Sequence, residues 1–205
     1  MPWVTEQLVI NTLSCKGFEV YYLNLKPSPD IVAARYVDVL RRIKEIWLIE
    51  TKGVNEPLVR IDQLEVLVNL ARFVSNPPYV KAYAVVAVVG DGVISFHDGE
   101  ALLKKAILLQ KYDDVKKTTK GRLIAAIDAN RIEPFWEVPE VKEPCKRTRS
   151  TFEYIRDVAV RELEELTDGD IKVILGDKIE DIPLAKAFEP VDDNCIPRMD
   201  EVGEQ

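Results

Sequence analysis

The sequence is poor in the residues that build metal centres and cross-links. It holds one histidine, His97, and three cysteines in 205 residues. Cys15, Cys145 and Cys195 are odd in number and far apart, with no paired spacing. Such a pattern gives neither a zinc site nor a disulfide framework, and it suits a reducing, cytoplasmic compartment. No apolar run approaches the ~20 residues that a membrane helix needs. The longest, at 82–89, has the length of a strand. The opening MPWVTEQ has neither a basic region nor an apolar core, so no export signal is expected. Glycine-rich phosphate loops and internal repeats are missing as well.

What remains is 47% hydrophobic and 31% charged, enough for one full domain with a smaller appendage. The net charge of −7 is unevenly spread. Residues 1–132 carry 18 Lys and Arg against 15 Asp and Glu, a net of +3; residues 133–205 carry 10 against 20, a net of −10. The asymmetry divides the chain into a core at 1–132 and an acidic extension at 133–205, and it assigns any nucleic-acid face to the core. Abundant Val, Ile, Glu, Lys and Arg beside only four Gln is also a composition found in thermophiles.

The most informative stretch is PDIVAARYVDVLRRIKEIWLIETK, residues 29–52. It reads as a β-hairpin: a Pro29-Asp30 entry, one strand, a polar turn around Arg41–Lys44, and a returning strand that ends in Glu50-Thr51-Lys52. Side chains alternate across a strand, so Glu50 and Lys52 share one face and Ile49 and Thr51 the other. If Asp30 lies opposite Glu50, two carboxylates and a lysine converge. Those groups can hold a hard divalent cation and hydrolyse a phosphodiester. An acid-x-Lys tripeptide alone means little, because it recurs at Asp114–Lys116, Glu140–Lys142 and Asp170–Lys172. Only the copy at Glu50 follows an apolar strand downstream of the single Pro-Asp.

Pro29-Asp30, Glu50-x-Lys52 and a preceding helix bearing Glu6 resemble the PD-(D/E)XK nuclease superfamily. Within it, Glu6…Leu8…Leu13…Gly17-Phe18-Glu19-Val20, then PDIVA, then LIETK, is most similar to archaeal Holliday-junction resolvases, over about residues 5–90. The resemblance implies a restriction-endonuclease-like α/β core, with a mixed central sheet of about five strands flanked by helices; beyond it, the residues themselves read as a small acidic α+β C-terminal extension. The resemblance also implies a DNA nuclease in which Asp30 and Glu50 bind Mg²⁺ or Mn²⁺ and the Thr51 carbonyl adds an oxygen. Lys52 would then act on the attacking water, and Glu6 would be an outer acid reaching the metal through water. Gln63 would touch DNA or a metal-bound water, and the assembly would be a homodimer. Some relatives carry a four-cysteine iron–sulfur cluster; three cysteines argue against that branch. A catalytically silent nuclease fold kept for nucleic-acid binding or assembly is the second reading. The joint presence of Asp30, Glu50 and Lys52 weighs against it.

Elsewhere the signals are structural. Residues 4–16 read as a helix capped by Thr5 and stopped by Gly17, in which Glu6 could be no more than a first-turn acid. The segment 18–25 reads as a strand and 53–60 as a loop. Residues 61–74 read as an apolar helix opened by Gln63, itself explicable as an exposed first-turn residue. A central strand is expected at 81–89, a further strand through His97, and a helix over 99–112. His97, near a strand end, reads as structural. Lys104, Lys105 and Lys111, followed by Lys116, Lys117, Lys120 and Arg122, form either a phosphate-contacting strip or a solvated face. The proline-spaced, aromatic and acidic stretch 131–145 reads as a linker or a strap, followed by a helix at 151–167 and a strand at 171–175.

Overall fold

The computed structural model describes residues 3–23, 25–38 and 43–145. The expected helix at 151–167, the strand at 171–175 and Cys195 lie outside the described residues, as do Arg41 and Arg42 of the expected turn at Arg41–Lys44, whereas Ile43 and Lys44 already belong to the returning strand. The chain opens with helix α1 (Val4–Cys15), followed by strands β1 (Glu19–Tyr22), β2 (Ile31–Asp38) and β3 (Ile43–Gly53). A short β4 (Leu58–Arg60) leads directly into helix α2 (Ile61–Val74), then β5 (Val80–Gly90), β6 (Val93–Asp98) and helix α3 (Gly99–Leu108). Strands β7 (Asp114–Lys117), β8 (Leu123–Asp128) and β9 (Trp136–Pro139) complete the described part.

The architecture is α/β, with a mixed six-stranded sheet in the order β1-β2-β3-β5-β6-β9. Only the β3–β5 pair is parallel; the others are antiparallel. The hairpin is present as expected, with Ile31 paired to Ile49. Strand β5 is interior and flanked by β3 and β6, which its run of Val and Ala suits, because both faces of the sheet are covered.

The period-2 alternation of β3 separates two cores. Trp47 and Ile49 face α1, packing with Val9, Leu13, Val85 and Phe96. Leu48 faces α2, packing with Leu67, Val68 and Ala71. Glu50 and Lys52 follow Leu48 by parity and belong to the α2 side; Thr51 belongs to the α1 side. Trp47 is the hub of the first core. Its ring lies 4.9 Å from Phe18, 5.6 Å from Phe96, 5.5 Å from Phe135 and 6.0 Å from Trp136. It also donates its indole N–H to buried Glu45, which pairs with Arg35 at 3.3 Å.

Several expectations need correction. The segment 53–60 is not simply a loop: β4 pairs with β8, and β8 with β7, in a second, three-stranded sheet. Three-residue and four-residue strands carry too little periodicity to register in a sequence. Helix α1 is not capped by Thr5; Glu6 Oε2 accepts the Trp3 amide at 2.7 Å instead. Of the two readings of 131–145, the described residues take the strap. Strand β9 pairs with β6, and Trp136 is buried against Phe96 at 5.0 Å between ring centres.

The cysteines differ most from expectation. Cys15 and Cys145 are disulfide-bonded across 130 residues, with Cα atoms 5.5 Å apart. Local spacing could not reveal the pair, because tertiary docking creates it. Beyond β9 the strap lies along α1, where Val141 N–H donates to Thr12 Oγ1 at 2.9 Å and Asn11 Nδ2 donates to the Lys142 carbonyl at 2.9 Å. The expectation of a reducing compartment loses the support it drew from unpaired cysteines. No helix among the described residues is long and apolar enough to cross a membrane.

Candidate active site

The site forms where β3 ends. Asp30 precedes β2, and its amide donates to the Ile49 carbonyl at 3.0 Å, which places it across the hairpin from Glu50. Its carboxylate turns to the next residue of β3. Asp30 Oδ2 accepts both the amide and the hydroxyl of Thr51, each at 2.9 Å. Carbonyls two residues apart on a strand point the same way. The Thr51 carbonyl is therefore directed, like that of Ile49, towards the β2 side where Asp30 sits.

Glu50 is only 2% exposed and is held by three side chains. Ser28 Oγ donates to its Oε2 at 2.8 Å. Lys52 Nζ and Gln63 Nε2 both donate to its Oε1, at 2.7 and 2.6 Å. Gln63 also donates to the Pro27 carbonyl at 3.1 Å, so the first turn of α2 is fastened to the proline-bounded turn before Asp30. Burial raises the Glu50 pKa above the ordinary carboxylate range, and the Asp30 charge adds to the rise. The Lys52 ammonium and the Ser28 hydroxyl act against it. The lysine and the serine thus favour the charged form against a net shift that remains upward.

Five of the six sequence-derived candidates, Asp30, Glu50, Thr51, Lys52 and Gln63, meet here. Glu6 does not join them directly. It is buried at the first turn of α1, one helical turn ahead of Val9, on the opposite side of the sheet from Glu50. Ser28 was missed. The only signal for it was its place between Pro27 and Pro29, which limits where its side chain can point. His97 lies two strands from Glu50, with Val86 between them, and its Nδ1 contacts the Ile132 carbonyl at 3.1 Å.

Among the described residues, no three His, Cys, Asp or Glu side chains are grouped closely enough to hold a metal between them. The donor set is instead two carboxylates and a strand carbonyl, all oxygen. It fits Mg²⁺ or Mn²⁺: Mg²⁺ retains several waters and needs one or two carboxylates, whereas a structural zinc needs four protein ligands.

No family model and no curated protein matches the chain. Among solved structures, the chain is similar to Hjc, a Holliday junction resolvase from the archaeal hyperthermophile Archaeoglobus fulgidus, at 22% identity and a TM-score of 0.39. The match covers 62% of this chain and 82% of that one. So slight a likeness transfers no residue roles.

Proposed function

We propose that the protein is a divalent-metal-dependent deoxyribonuclease, an endonuclease of the PD-(D/E)XK type that prefers branched DNA such as a Holliday junction. The observation that carries this reading is the convergence of Asp30, Glu50, Thr51, Lys52 and Gln63 at the end of β3. Asp30, Glu50 and the Thr51 carbonyl would hold Mg²⁺ or Mn²⁺, which, when bound, acts as a Lewis acid and lowers the pKa of a water. Ser28 and Thr51 keep the carboxylates in place, which limits the reorganisation needed at reaction. Lys52 is tied to Glu50 yet partly exposed, so its ammonium can turn to orient the attacking water and offset charge on the phosphorane-like transition state. Gln63 holds Glu50 from the α2 side; its amide hydrogens go to Glu50 and the Pro27 carbonyl, so it would touch a metal-bound water or the DNA backbone by releasing one of these bonds.

The basic residues support a DNA-facing surface in a narrower form than the full strip. On α3, Lys104 pairs with Glu100 at 3.3 Å and Lys105 donates to the Arg131 carbonyl. Lys117, Lys120 and Arg122 stand exposed on the β7–β8 hairpin. That hairpin adjoins the start of α2, since β8 pairs with β4 and β4 runs directly into α2 two residues before Gln63. A homodimer belongs to the reading, because symmetrical cutting of two strands needs two sites.

The deciding test offers a four-way junction, a linear duplex of matching sequence and single strands to the purified protein, with Mg²⁺, with Mn²⁺ and with chelator. Metal-dependent cutting that favours the junction is expected. Equal rates on junction and duplex would reduce the reading to a general nuclease, and no cutting of any form with either metal would overturn it.

A further inference from the structure

The two halves of the site lie on opposite sides of the sheet, and Tyr22 stands where they could be joined. It is the last residue of β1 and pairs with Ile31, the neighbour of Asp30. The next residue, Leu23, donates its amide to the Asp30 carbonyl at 2.8 Å. Because paired residues share a face, the Tyr22 ring lies with Ile31 on the α1 side, against the core that contains Val9 and Leu13. Glu6 occupies the same face of α1 as those two residues. The Tyr22 hydroxyl is buried, yet closes no hydrogen bond of standard geometry. A buried phenol without a partner is costly, so such a group needs a reason. Its charged surroundings are the two acids themselves. Burial first, then the charge of Glu6 and contact with it, and then the charge of Asp30, raise the phenol above its ordinary pKa.

We infer that Tyr22 is a positioning residue that couples Glu6 to the Asp30–Glu50 centre. A phenol has one hydrogen to donate and lone pairs that accept. With a metal bound, the hydroxyl would close its missing hydrogen bond by donating to the Glu6 carboxylate and would accept from a water held at the metal position, so that Glu6 acts on the site through Tyr22 and not by direct ligation. This rests on the nuclease reading above. It accounts for the burial of both groups and for the separation of Glu6 from the other two acids.

The test is a double-variant cycle on Mn²⁺ affinity, read by electron paramagnetic resonance of free Mn²⁺, with Tyr22→Phe, Glu6→Gln and both together. Phenylalanine keeps the ring in the core, and glutamine can still accept the Trp3 amide. Outer partners of metal-bound groups typically contribute 10-fold or more to affinity, so Tyr22→Phe should weaken Mn²⁺ binding about 10-fold with Tm unchanged. The double variant should bind no more weakly than either single one, because the two residues act as one unit. Unchanged affinity in Tyr22→Phe, or losses that add in the double variant, would overturn the coupling. Wild-type protein that fails to bind Mn²⁺ would overturn the nuclease reading itself and the coupling with it.

Discussion

Thr51 gives both its amide and its hydroxyl to one oxygen of Asp30, Oδ2, at 2.9 Å each. The second oxygen, Oδ1, takes no part in that pair of bonds. Hydrogen bonds to charged groups are worth about 1.5–3 kcal/mol. Thr51→Val removes the hydroxyl and keeps the branched shape and the amide. It should cost about that much stability in urea unfolding, and Thr51→Ser should recover most of it. A valine variant as stable as wild type would show that the hydroxyl contributes nothing to the carboxylate's placement.

The carboxylates and the lysine should separate in their effects. Asp30→Asn and Glu50→Gln should each abolish metal-dependent cleavage while leaving the circular dichroism spectrum intact, since both sit at the end of the sheet. Lys52→Met should also lose cleavage, yet bind Mn²⁺ as tightly as wild type or more so. It removes a positive charge 2.7 Å from Glu50 Oε1 and frees that oxygen. Lost Mn²⁺ binding in Lys52→Met would mean that the lysine supports the site's shape and not its chemistry.

The β7–β8 hairpin offers a test of DNA binding that spares the site. Replacing Lys117, Lys120 and Arg122 together with glutamine should weaken duplex binding and lower the steepness of its salt dependence, by about 0.9 for each phosphate that is no longer neutralised. Mn²⁺ affinity should not change. An unaltered salt slope would assign these three residues to a solvated face.

His97 is fully buried, with Nδ1 against the Ile132 carbonyl and Nε2 without a partner. A carbonyl only accepts, so Nδ1 carries the hydrogen. Burial lowers the pKa of the ring, partly opposed by that carbonyl and by the charges of Glu137, Asp128 and Glu133. The unfolded chain takes up a proton near the ordinary value of about 6.5, before the folded chain does. His97 therefore leaves stability intact above that value and erodes it as pH falls towards the folded value. As the only histidine, it gives a single imidazole signal in proton NMR, whose titration should fall below the ordinary range. A midpoint at or above about 6.5 would contradict the burial described.

Trp136 anchors the strap to the sheet. Large aromatic-to-alanine changes in a core cost about 3–5 kcal/mol. Trp136→Ala should lose stability on that scale, and a chain ended after residue 131, which removes β9, should lose at least as much. A chain ended after residue 145 should keep the core and the disulfide. Equal thermal stability of the two shortened forms would refute the anchoring role.

What the sequence made legible followed regular periodicity or a rigid local constraint. The Val/Ile-rich strands, the apolar stripe of α2 and the Pro29-Asp30 entry all place their residues without help from distant parts of the chain. The sequence posed the approach of Asp30 to Glu50 as a condition, and the Ile31–Ile49 register meets it because Asp30 directly precedes the paired strand. The second sheet was hidden, since β4 and β7 are too short to show alternation. The Cys15–Cys145 bond and the seat of Trp136 were hidden because each is made between segments far apart in the chain. Glu6 was recognised, but its separation from the other acids was not, because a helical position alone does not say how a helix lies on its sheet.

The disulfide also fixes where the acidic end of the chain starts. Residues 146–205 carry nine Lys and Arg against sixteen Asp and Glu, and they leave a residue covalently fastened to the last turn of α1. Glu6 lies in the first turn of that helix, nine residues away, or about 13 Å along its axis at 1.5 Å per residue. That span exceeds the ~8–10 Å over which exposed charges act at physiological salt. The disulfide therefore sets the first residue of the acidic segment at the C-terminal end of α1, away from the turn that carries Glu6. Cutting Cys15–Cys145 would release that starting point from the helix.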